Sequence, residues 1–378
     1  MGRIFGRIAD FVRECDKILL ILVLASSLYG ALAILSATHY TGSSSDFFTQ
    51  LGSIFLGIIV AVCVSLFDFS EYLNRWYLAA AIGFIPVLLT FFIGFAPAGT
   101  DDKAWLRIFG ISFQPSEFLK VMFLITFAFH LEKVRDKINK PLTLIPLLIH
   151  GFFPSVLIHF QGDDGTALVF AVMALGMLYA AGLHYWYFIS AFGAALLASP
   201  FVYFFVMNDD QRARIINMFN INADIQGAGY QQYRARVALA NGGFFGQGYM
   251  KGDLTGVGGV PEGHNDFIFS SIGEELGFLG CLVVIILLAA ISLRVLAVAK
   301  MCHKKSGTYI CVGFFSMMLT HIIINIGMNV SLLPVIGITL PFFSAGGTSL
   351  LCLYAAVGLV MSVYSHRNSR TIYLRDDY

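Results

Sequence analysis

Long apolar stretches recur from one end of this chain to the other, which is the pattern of a protein built from membrane-spanning helices. A transmembrane helix needs about 20 mostly apolar residues. Only 12% of the residues are charged, whereas a soluble domain has about 25%. This charge deficit excludes a water-soluble, disordered or nucleic-acid-binding protein. The stretches long enough to cross a bilayer are 18–37, 47–67, 76–96, 115–131, 143–160, 165–182, 184–206, 267–291, 307–327 and 338–364.

The pattern predicts an all-α polytopic membrane protein with about ten transmembrane helices, forming a single domain over residues 1–378. Sixteen lysines and arginines fall in loops on the side of the N-terminus, and seven fall on the other side. Because cytoplasmic loops carry the excess of these residues, both termini are predicted to be cytoplasmic. The segment 207–266, between the seventh and eighth helices, then lies outside. Such long connections are usually functional, so chemistry is expected on the outer face.

No cofactor motif is evident. The six cysteines have no spacing that matches a zinc site and form no disulfide framework. The glycine-rich segment 242–263 lacks the Gly-Lys-Ser/Thr ending of a phosphate-binding P-loop. His150 and His159 lie nine residues apart in one apolar stretch and are interpreted as packed side chains rather than a metal pair.

Charged residues inside apolar stretches are costly and therefore draw attention. Glu117 and Lys120 stand three residues apart and share a helix face, so they can pair. The pair is either a structural ion pair or a cation and a carboxylate that line an outward cavity. Glu274 and Glu275 are adjacent and point about 100° apart, so one is expected to face a cavity and the other a neighbouring helix.

Asp266 lies where a polar segment becomes an apolar helix. One interpretation is that Asn265 or Asp266 is the N-cap of that helix. The other is that Asp266, with Glu262 and His264 close in sequence, acts on a lipid headgroup at the water boundary.

Asp163 and Asp164 form a Gly-Asp-Asp-Gly turn between two predicted helices. Such a turn is ordinary turn chemistry. Together with Gln161 and Thr166, it is also suited to hold a sugar or a divalent cation.

Two Arg-x-Arg pairs occur in the long outer segment, Arg212 with Arg214 and Arg234 with Arg236. Guanidinium groups match phosphate oxygens in geometry. The pairs therefore either bind anionic headgroups nonspecifically or clamp a pyrophosphate.

Five motifs follow one another along the chain: AWLRIFGISFQPSEFLK (104–120), QGDDGTALV (161–169), GAGYQQYRARVALANGGFFGQG (227–248), PEGHNDFIFSSIGEELGF (261–278) and LLPVIGITLPFFSAGGTSLL (332–351). In this order they resemble the SEDS family, the RodA/FtsW/SpoVE group of shape, elongation, division and sporulation proteins. The resemblance extends from about residue 20 to residue 365. The chain departs from the family pattern at Gly162, Asp164, Asn265, Ala345 and Thr348.

The resemblance implies a peptidoglycan glycosyltransferase that polymerises lipid II in the cytoplasmic membrane of a bacterium, with the RodA-like branch slightly favoured. It also implies a class B penicillin-binding protein as partner, within a set of elongasome or divisome proteins, and no nucleic acid. Asp266 is implied as the essential acidic residue. The substrate-binding residues expected from the resemblance and from the motifs are Trp105, Arg107, Gln114, Ser116, Glu117, Lys120, Gln161, Asp163, Thr166, Arg212, Arg214, Glu262, His264, Ser344, Gly346, Gly347 and Ser349.

In the expected reaction the 4-hydroxyl of one lipid II sugar attacks C1 of another, with Asp266 as general base and undecaprenyl pyrophosphate as leaving group. Cationic side chains, or a divalent ion (Mg²⁺ or Mn²⁺) near Asp163, would stabilise the charge that develops. Two alternatives belong to other classes: a flippase for the same lipid, and a noncatalytic scaffold of a cell-wall synthase.

Overall fold

The computed structural model describes residues 15–367, except 97–101, 109, 220–226 and 228. In these residues each predicted span is occupied by a helix. The long helices are α1 (Lys17–Ala37), α2 (Ser45–Ser65), α4 (Trp76–Ile93), α5 (Pro115–Val134), α6 (Pro141–His159), α7 (Asp164–Ala180), α8 (Tyr185–Phe201, continued by a π-helical turn at Val202–Val206), α11 (Ile268–Met301), α12 (Lys305–Asn329) and α13 (Gly347–Ser365).

The remaining elements are short. Helix α3 (Phe69–Asn74) joins α2 to α4, and a two-stranded antiparallel hairpin, β1 (Leu106–Ile108) and β2 (Ile111–Phe113), precedes α5. Two helices, α9 (Asp209–Phe219) and α10 (Tyr230–Gly242), lie in the long segment before α11. That segment, expected only as a loop, is therefore partly helical.

Eight helices in the described part of the chain are long and apolar enough to cross a membrane. Helix α7 is shorter, with 17 residues, and α5 carries the charged side chains of Glu117 and Lys120. The protein is thus a multi-pass membrane protein. Residues 1–14 and 368–378 lie outside the described residues, so the cytoplasmic position of the termini stays a prediction.

The bundle is organised by a few extensive helix pairs. Helix α13 packs along α2, α4 packs along α5, and α12 packs against both α7 and α11. Large apolar side chains fill the interior, among them Phe123, Phe127 and Phe170, whose rings lie within 5.7 Å of a neighbour. Helices α5 and α12 are therefore central, and they position the polar groups described below.

The last predicted span, 338–364, is wrong at its start. Helix α13 begins only at Gly347, and residues 338–346 are not helical although Leu340 and Phe343 are fully buried. Hydropathy reports burial, and it does not distinguish a buried irregular segment from a helix. Gly30 of α1 makes room for this segment, since a Cβ there would lie 2.6 Å from the carbonyl oxygen of Phe342.

Helix α11 is interrupted at Gly277, whose φ of 66° lies in the left-handed region. The interruption frees backbone carbonyls, and the glycine-rich segment satisfies them: Gln247 N donates to Glu274 O at 3.0 Å, and Gly248 N donates to Glu275 O at 2.9 Å. A helix can break inside a membrane protein when the freed groups are paired again in this way. The glycine-rich segment therefore has a structural role here.

The side chains of Glu274 and Glu275 point in different directions, as expected. Glu274 accepts hydrogen bonds from the amides of Leu254 and Thr255 at 3.0 and 2.7 Å, and Glu275 accepts one from Ser36 of α1 at 2.6 Å. Glu274 thus fixes the outer segment, and Glu275 faces a neighbouring helix.

Candidate functional site

Asp266 lies two residues before the first residue of α11, and α12 holds it through its backbone. Its carbonyl oxygen accepts hydrogen bonds from Asn325 Nδ2 at 2.9 Å and from Asn329 Nδ2 at 3.1 Å. Asn329 Oδ1 in turn accepts from the amide of Ser270 at 3.1 Å. The predicted capping role of Asn265 or Asp266 is therefore wrong, because Phe267 occupies the N-cap position and the side chain that accepts from the first turn belongs to Asn329.

The Asp266 carboxylate has no hydrogen-bond or ion-pair partner among the described residues. It is partly exposed and lies near Gly337 of the opposite segment, where a Cβ would lie 3.8 Å from Oδ2. Desolvation, together with the nearby carboxylates of Glu262 and Asp163, raises the pKa of Asp266 to about 7. A carboxylate with a pKa near the working pH is suited to accept a proton.

The segment that carries Asp266 is fixed by the residues before α13. Ser344 Oγ donates to the carbonyl of Asn265 at 2.7 Å, and the amide of Ala345 donates to the carbonyl of His264 at 2.9 Å. Asn265 also binds Glu262 Oε2 at 2.7 Å. The expected ligand Ser344 is buried and acts on the backbone, so its contribution is to the position of Asp266.

Asp163 is the second acidic residue of the site and is buried. Its Oδ1 accepts from the amide of Thr166 at 2.8 Å, and its Oδ2 accepts from Gln114 Nε2 at 2.7 Å. Burial raises the pKa of Asp163, although the hydrogen bonds from Thr166 oppose this effect. Gln114, which lies 49 residues from Asp163 in the chain, is thus brought to Asp163 and Thr166 where α5 and α7 begin.

Glu117 and Lys120 form the ion pair that their spacing predicts, with Nζ 2.7 Å from Oε1 and both side chains buried. Lys120 Nζ also lies 3.3 Å from His321 Nε2, and His321 Nδ1 lies 3.0 Å from the carbonyl of Thr339. Ser349 Oγ donates to the other Glu117 oxygen at 3.2 Å. The network joins α5, α12, the segment 338–346 and α13.

Several predicted ligands have structural contacts instead. Gln161 binds the carbonyl of Val87 at 3.0 Å and the hydroxyl of Thr90. Arg212 donates to the carbonyls of Tyr203 and Phe204 at 2.9 and 3.0 Å. These interactions anchor one element to another and leave the substrate roles of Gln161 and Arg212 as predictions.

The hairpin residues are separate from this network. Trp105 pairs with Phe95 through a β-bridge, and the guanidinium of Arg107 lies 4.8 Å from the centre of the Phe95 ring. Arg214 is exposed and makes one hydrogen bond, to the carbonyl of Val335 at 3.2 Å.

Five expected site residues remain, and they lie at the start of α5, at the start of α13 and just before α11. Ser116 Oγ is buried and has no hydrogen-bond partner among the described residues. Gly346 and Gly347 begin α13, and a Cβ at Gly347 would lie 3.2 Å from Ser53 Oγ. Glu262 is exposed and His264 is partly exposed beside Asp266.

The described residues contain no group of three or more His, Cys, Asp or Glu side chains placed to hold a metal ion. At Asp163, where the sequence left a divalent ion open as one alternative, both carboxylate oxygens already accept hydrogen bonds from Gln114 and Thr166. The donor set does not fit such an ion, and no step below is assigned to one.

The sequence of this chain matches that of a known protein family. The family model for cell cycle proteins of the FtsW, RodA and SpoVE type matches residues 16–369. The chain belongs to this family.

Relatives within the FtsW/RodA/SpoVE family match nearly end to end. The chain is 31% identical over 355 residues to the peptidoglycan glycosyltransferase MrdB of Escherichia coli K12, which covers 93% of this chain and 94% of the relative. It is 30% identical over 368 residues to the probable peptidoglycan glycosyltransferase FtsW of Trichlorobacter lovleyi, with 93% of each covered. A chain of a solved peptidoglycan synthase complex has the same fold, with a TM-score of 0.79, 24% identity, and coverage of 94% of this chain and 99% of that one.

Sequence reasoning missed the residues that α12 contributes to the site of this family member. His321, Asn325 and Asn329 share one helix and hold Lys120 and Asp266 in place. The available signal was their spacing of four residues, which places polar groups on one face of an otherwise apolar helix.

Proposed function

We propose that this protein is a peptidoglycan glycosyltransferase that polymerises lipid II into glycan strands on the outer face of the bacterial cytoplasmic membrane. The observation that carries the proposal is the Asp266 carboxylate, which is held rigidly through its backbone while its oxygens have no partner among the described residues. Asp266 directly precedes a transmembrane helix, at the depth where a lipid headgroup lies. The curated names of MrdB and FtsW support the same activity.

In the proposed mechanism Asp266 accepts the proton of the 4-hydroxyl of the acceptor sugar as that oxygen attacks C1 of the donor sugar. The C1–O4 bond forms, the bond from C1 to the pyrophosphate oxygen breaks, and undecaprenyl pyrophosphate leaves with the electron pair. Displacement from an α-linked donor inverts C1 and gives a β-linkage. A pKa of about 7 lets Asp266 exist as the base at neutral pH and still bind the proton strongly enough to be effective.

Positive charge stabilises the leaving pyrophosphate. The cationic side chains expected at the site differ in whether other groups of the protein already bind them. The charge of Lys120 is already paired with Glu117, and Arg212 is bound to two carbonyls and lies 3.2 Å from Asp209. Arg214 makes one hydrogen bond and is exposed. Arg214 is therefore the cation that we assign to the pyrophosphate.

A class B penicillin-binding protein is the proposed partner, and lipid II is the proposed substrate. The support is the solved synthase complex of the same fold, in which polymerization and crosslinking are coordinated. The identities to MrdB and FtsW, 31% and 30%, are too similar to assign the protein to elongation or to division.

The experiment is lipid II polymerisation by the purified protein, with and without a class B partner, with products separated by size on a gel. Glycan strands that appear with or without the partner support the proposal. If no strands form under either condition while reconstituted vesicles move labelled lipid II between leaflets, the protein is a flippase. If neither activity appears and the complex still assembles, it is a scaffold, and the proposal fails.

A further inference from the structure

A cavity lies at the ends of α5 and α6 that are farther from Asp266. It has a volume of about 710 Å³ and is bounded by α4, α5, α6 and the turn between α5 and α6. Glu117 and Lys133 mark the two ends of α5, about 24 Å apart at 1.5 Å per residue. The cavity is therefore separate from the proposed glycosyltransferase site, and the lysine and arginine bias predicts that it opens on the cytoplasmic side.

The rim of the cavity is positively charged. Lys133 and Lys137 line it, are exposed, and have no ion-pair partner among the described residues. Asp136 also lines the rim, and its carboxylate shares the Arg135 guanidinium with Glu132, at 3.5 and 3.4 Å. The lining thus carries two lysines without an ion-pair partner among the described residues and one carboxylate, so its net charge is positive.

Two histidines form the polar floor. His130 of α5 and His150 of α6 stack with ring centres 5.2 Å apart, and their Nδ1 atoms lie 3.0 Å from each other. One Nδ1 must carry a proton and donate it to the other, so the pair has at least one Nε2–H group remaining as a donor. Neither Nε2 atom has a hydrogen-bond partner among the described residues, and both side chains line the cavity.

The wall between rim and floor is aromatic. Trp76 of α4 stacks on Phe129 of α5 with ring centres 5.5 Å apart and an angle of 13° between the planes. Trp76 is 40% exposed, and its position at the start of α4 places it near the membrane boundary. Tryptophan is enriched at this depth because one edge of its ring is polar and its body is apolar.

We propose that this cavity binds the phosphate group of an anionic glycerophospholipid from the cytoplasmic leaflet. Lys133 and Lys137 attract the headgroup, the His130–His150 pair donates to a phosphate oxygen, and Trp76 contacts the glycerol and the upper acyl chain. Basic pockets between transmembrane helices on the cytoplasmic side recognise lipid headgroups by this chemistry. The volume lies within the range of about 300–1,000 Å³ that is typical of small-molecule sites.

The test uses the full-length protein in phosphatidylcholine nanodiscs, with and without phosphatidylglycerol. Native mass spectrometry after release counts the phospholipid molecules that remain bound. The wild type is expected to retain phosphatidylglycerol in preference to phosphatidylcholine. K133Q/K137Q is expected to lower the apparent affinity for phosphatidylglycerol about thirtyfold, and H150F, which keeps an aromatic ring and removes the nitrogens, is expected to lower it as well.

The matched control is K140Q/K305Q. Both lysines are exposed, lie on the same predicted side as Lys133 and Lys137, and do not line the cavity. Retention by K140Q/K305Q is expected to equal that of the wild type. Equal loss in the two double variants, or equal retention of the two lipids by the wild type, overturns the proposal. A third arm adds inorganic phosphate alone, and binding as tight as that of the lipid would overturn the assignment to a lipid.

Discussion

Asn329, the last residue of α12, donates through Nδ2 to the backbone carbonyl of Asp266 at 3.1 Å, so the position of the acidic residue before α11 is set by a different helix. Asn329 also accepts from the amide and the hydroxyl of Ser270 at 3.1 and 2.6 Å. One buried amide group therefore joins the first turn of α11 to the residue that we assign as the base.

We predict that Asn329→Ala lowers both stability and polymerisation. It leaves the carbonyl of Asp266 short of one donor and the buried hydroxyl of Ser270 without its acceptor, at a cost of about 1–3 kcal/mol for each buried group left unsatisfied. Asn329→Asp retains the acceptor for Ser270 but places a buried carboxylate against the carbonyls of Asp266 and Asn325, so it should be more destabilising than Asn329→Ala. Thermal unfolding in detergent, together with the polymerisation rate, separates the two variants. Equal stability of Asn329→Ala and the wild type would contradict the role given to this amide.

The second prediction concerns the buried ion pair of Glu117 and Lys120 in α5. Lys120→Met leaves Glu117 as a buried charge without its cation, which costs about 3–5 kcal/mol in such pairs. The double variant Glu117→Gln with Lys120→Met removes both charges and should recover part of the lost stability. The control is the exposed pair of Glu132 and Arg135, with Nη1 3.4 Å from Oε1, where Arg135→Gln should change stability by at most about 1 kcal/mol. Unfolding midpoints measured in one detergent test the comparison, and a double variant less stable than Lys120→Met would refute it.

The raised pKa of Asp266 predicts that the polymerisation rate depends on pH. The carboxylate must be ionised to act as a base, so the polymerisation rate should rise with pH and level off above about 7. Because the charge of Glu262 contributes to the raised pKa of Asp266, Glu262→Gln should move the rising limb of the profile to lower pH. The check is the pH profile of kcat/KM for both proteins. A profile that falls as pH rises from 5 to 7 would be inconsistent with a carboxylate base.

The raised pKa of Asp266 also affects stability, but in the opposite direction: it stabilises the folded state at low pH. The folded state binds the Asp266 proton more tightly than the unfolded state, whose pKa is close to the ordinary value of 3.8. This contribution is fully present below the unfolded pKa and is lost as pH rises through about 7. Asp266→Asn should therefore flatten the fall in unfolding free energy over that window, which pH-dependent denaturation measures.

Arg214 and Arg212 provide a paired prediction in α9. Arg214→Gln should lower the polymerisation rate without destabilising the fold, because its exposed guanidinium makes a single hydrogen bond to the described residues. Arg212→Gln should instead lower the unfolding temperature, because Arg212 binds the carbonyls of Tyr203 and Phe204 at the end of α8. Steady-state kinetics and thermal unfolding of the two variants distinguish these roles. An unchanged rate for Arg214→Gln would remove it from the site.

The sequence predicts the helices of this protein well because burial in a membrane requires long apolar runs, which are visible without any knowledge of packing. It fails at residues 338–346, since an apolar segment buried between α1 and α13 has the same hydropathy as a helix. The pairing of Glu117 with Lys120 is local and follows from helix geometry.

The contacts that the sequence does not reveal are those between distant parts of the chain. His321 lies 201 residues from Lys120, and Asn329 lies 63 residues from Asp266. No local pattern specifies which polar residue of α12 meets which group on another element. Arg212 illustrates the converse, because an arginine that is suited to a phosphate is used to bind backbone carbonyls.

The most direct test of the central claim is lipid II polymerisation by Asp266→Asn beside Asp46→Asn. Asp46 is an exposed aspartate in the first turn of α2, on the same predicted side of the membrane, and has no role in the site. The account predicts no glycan strands from Asp266→Asn, normal strands from Asp46→Asn, and unchanged folding and partner binding for both. Wild-type strand synthesis by Asp266→Asn would contradict it.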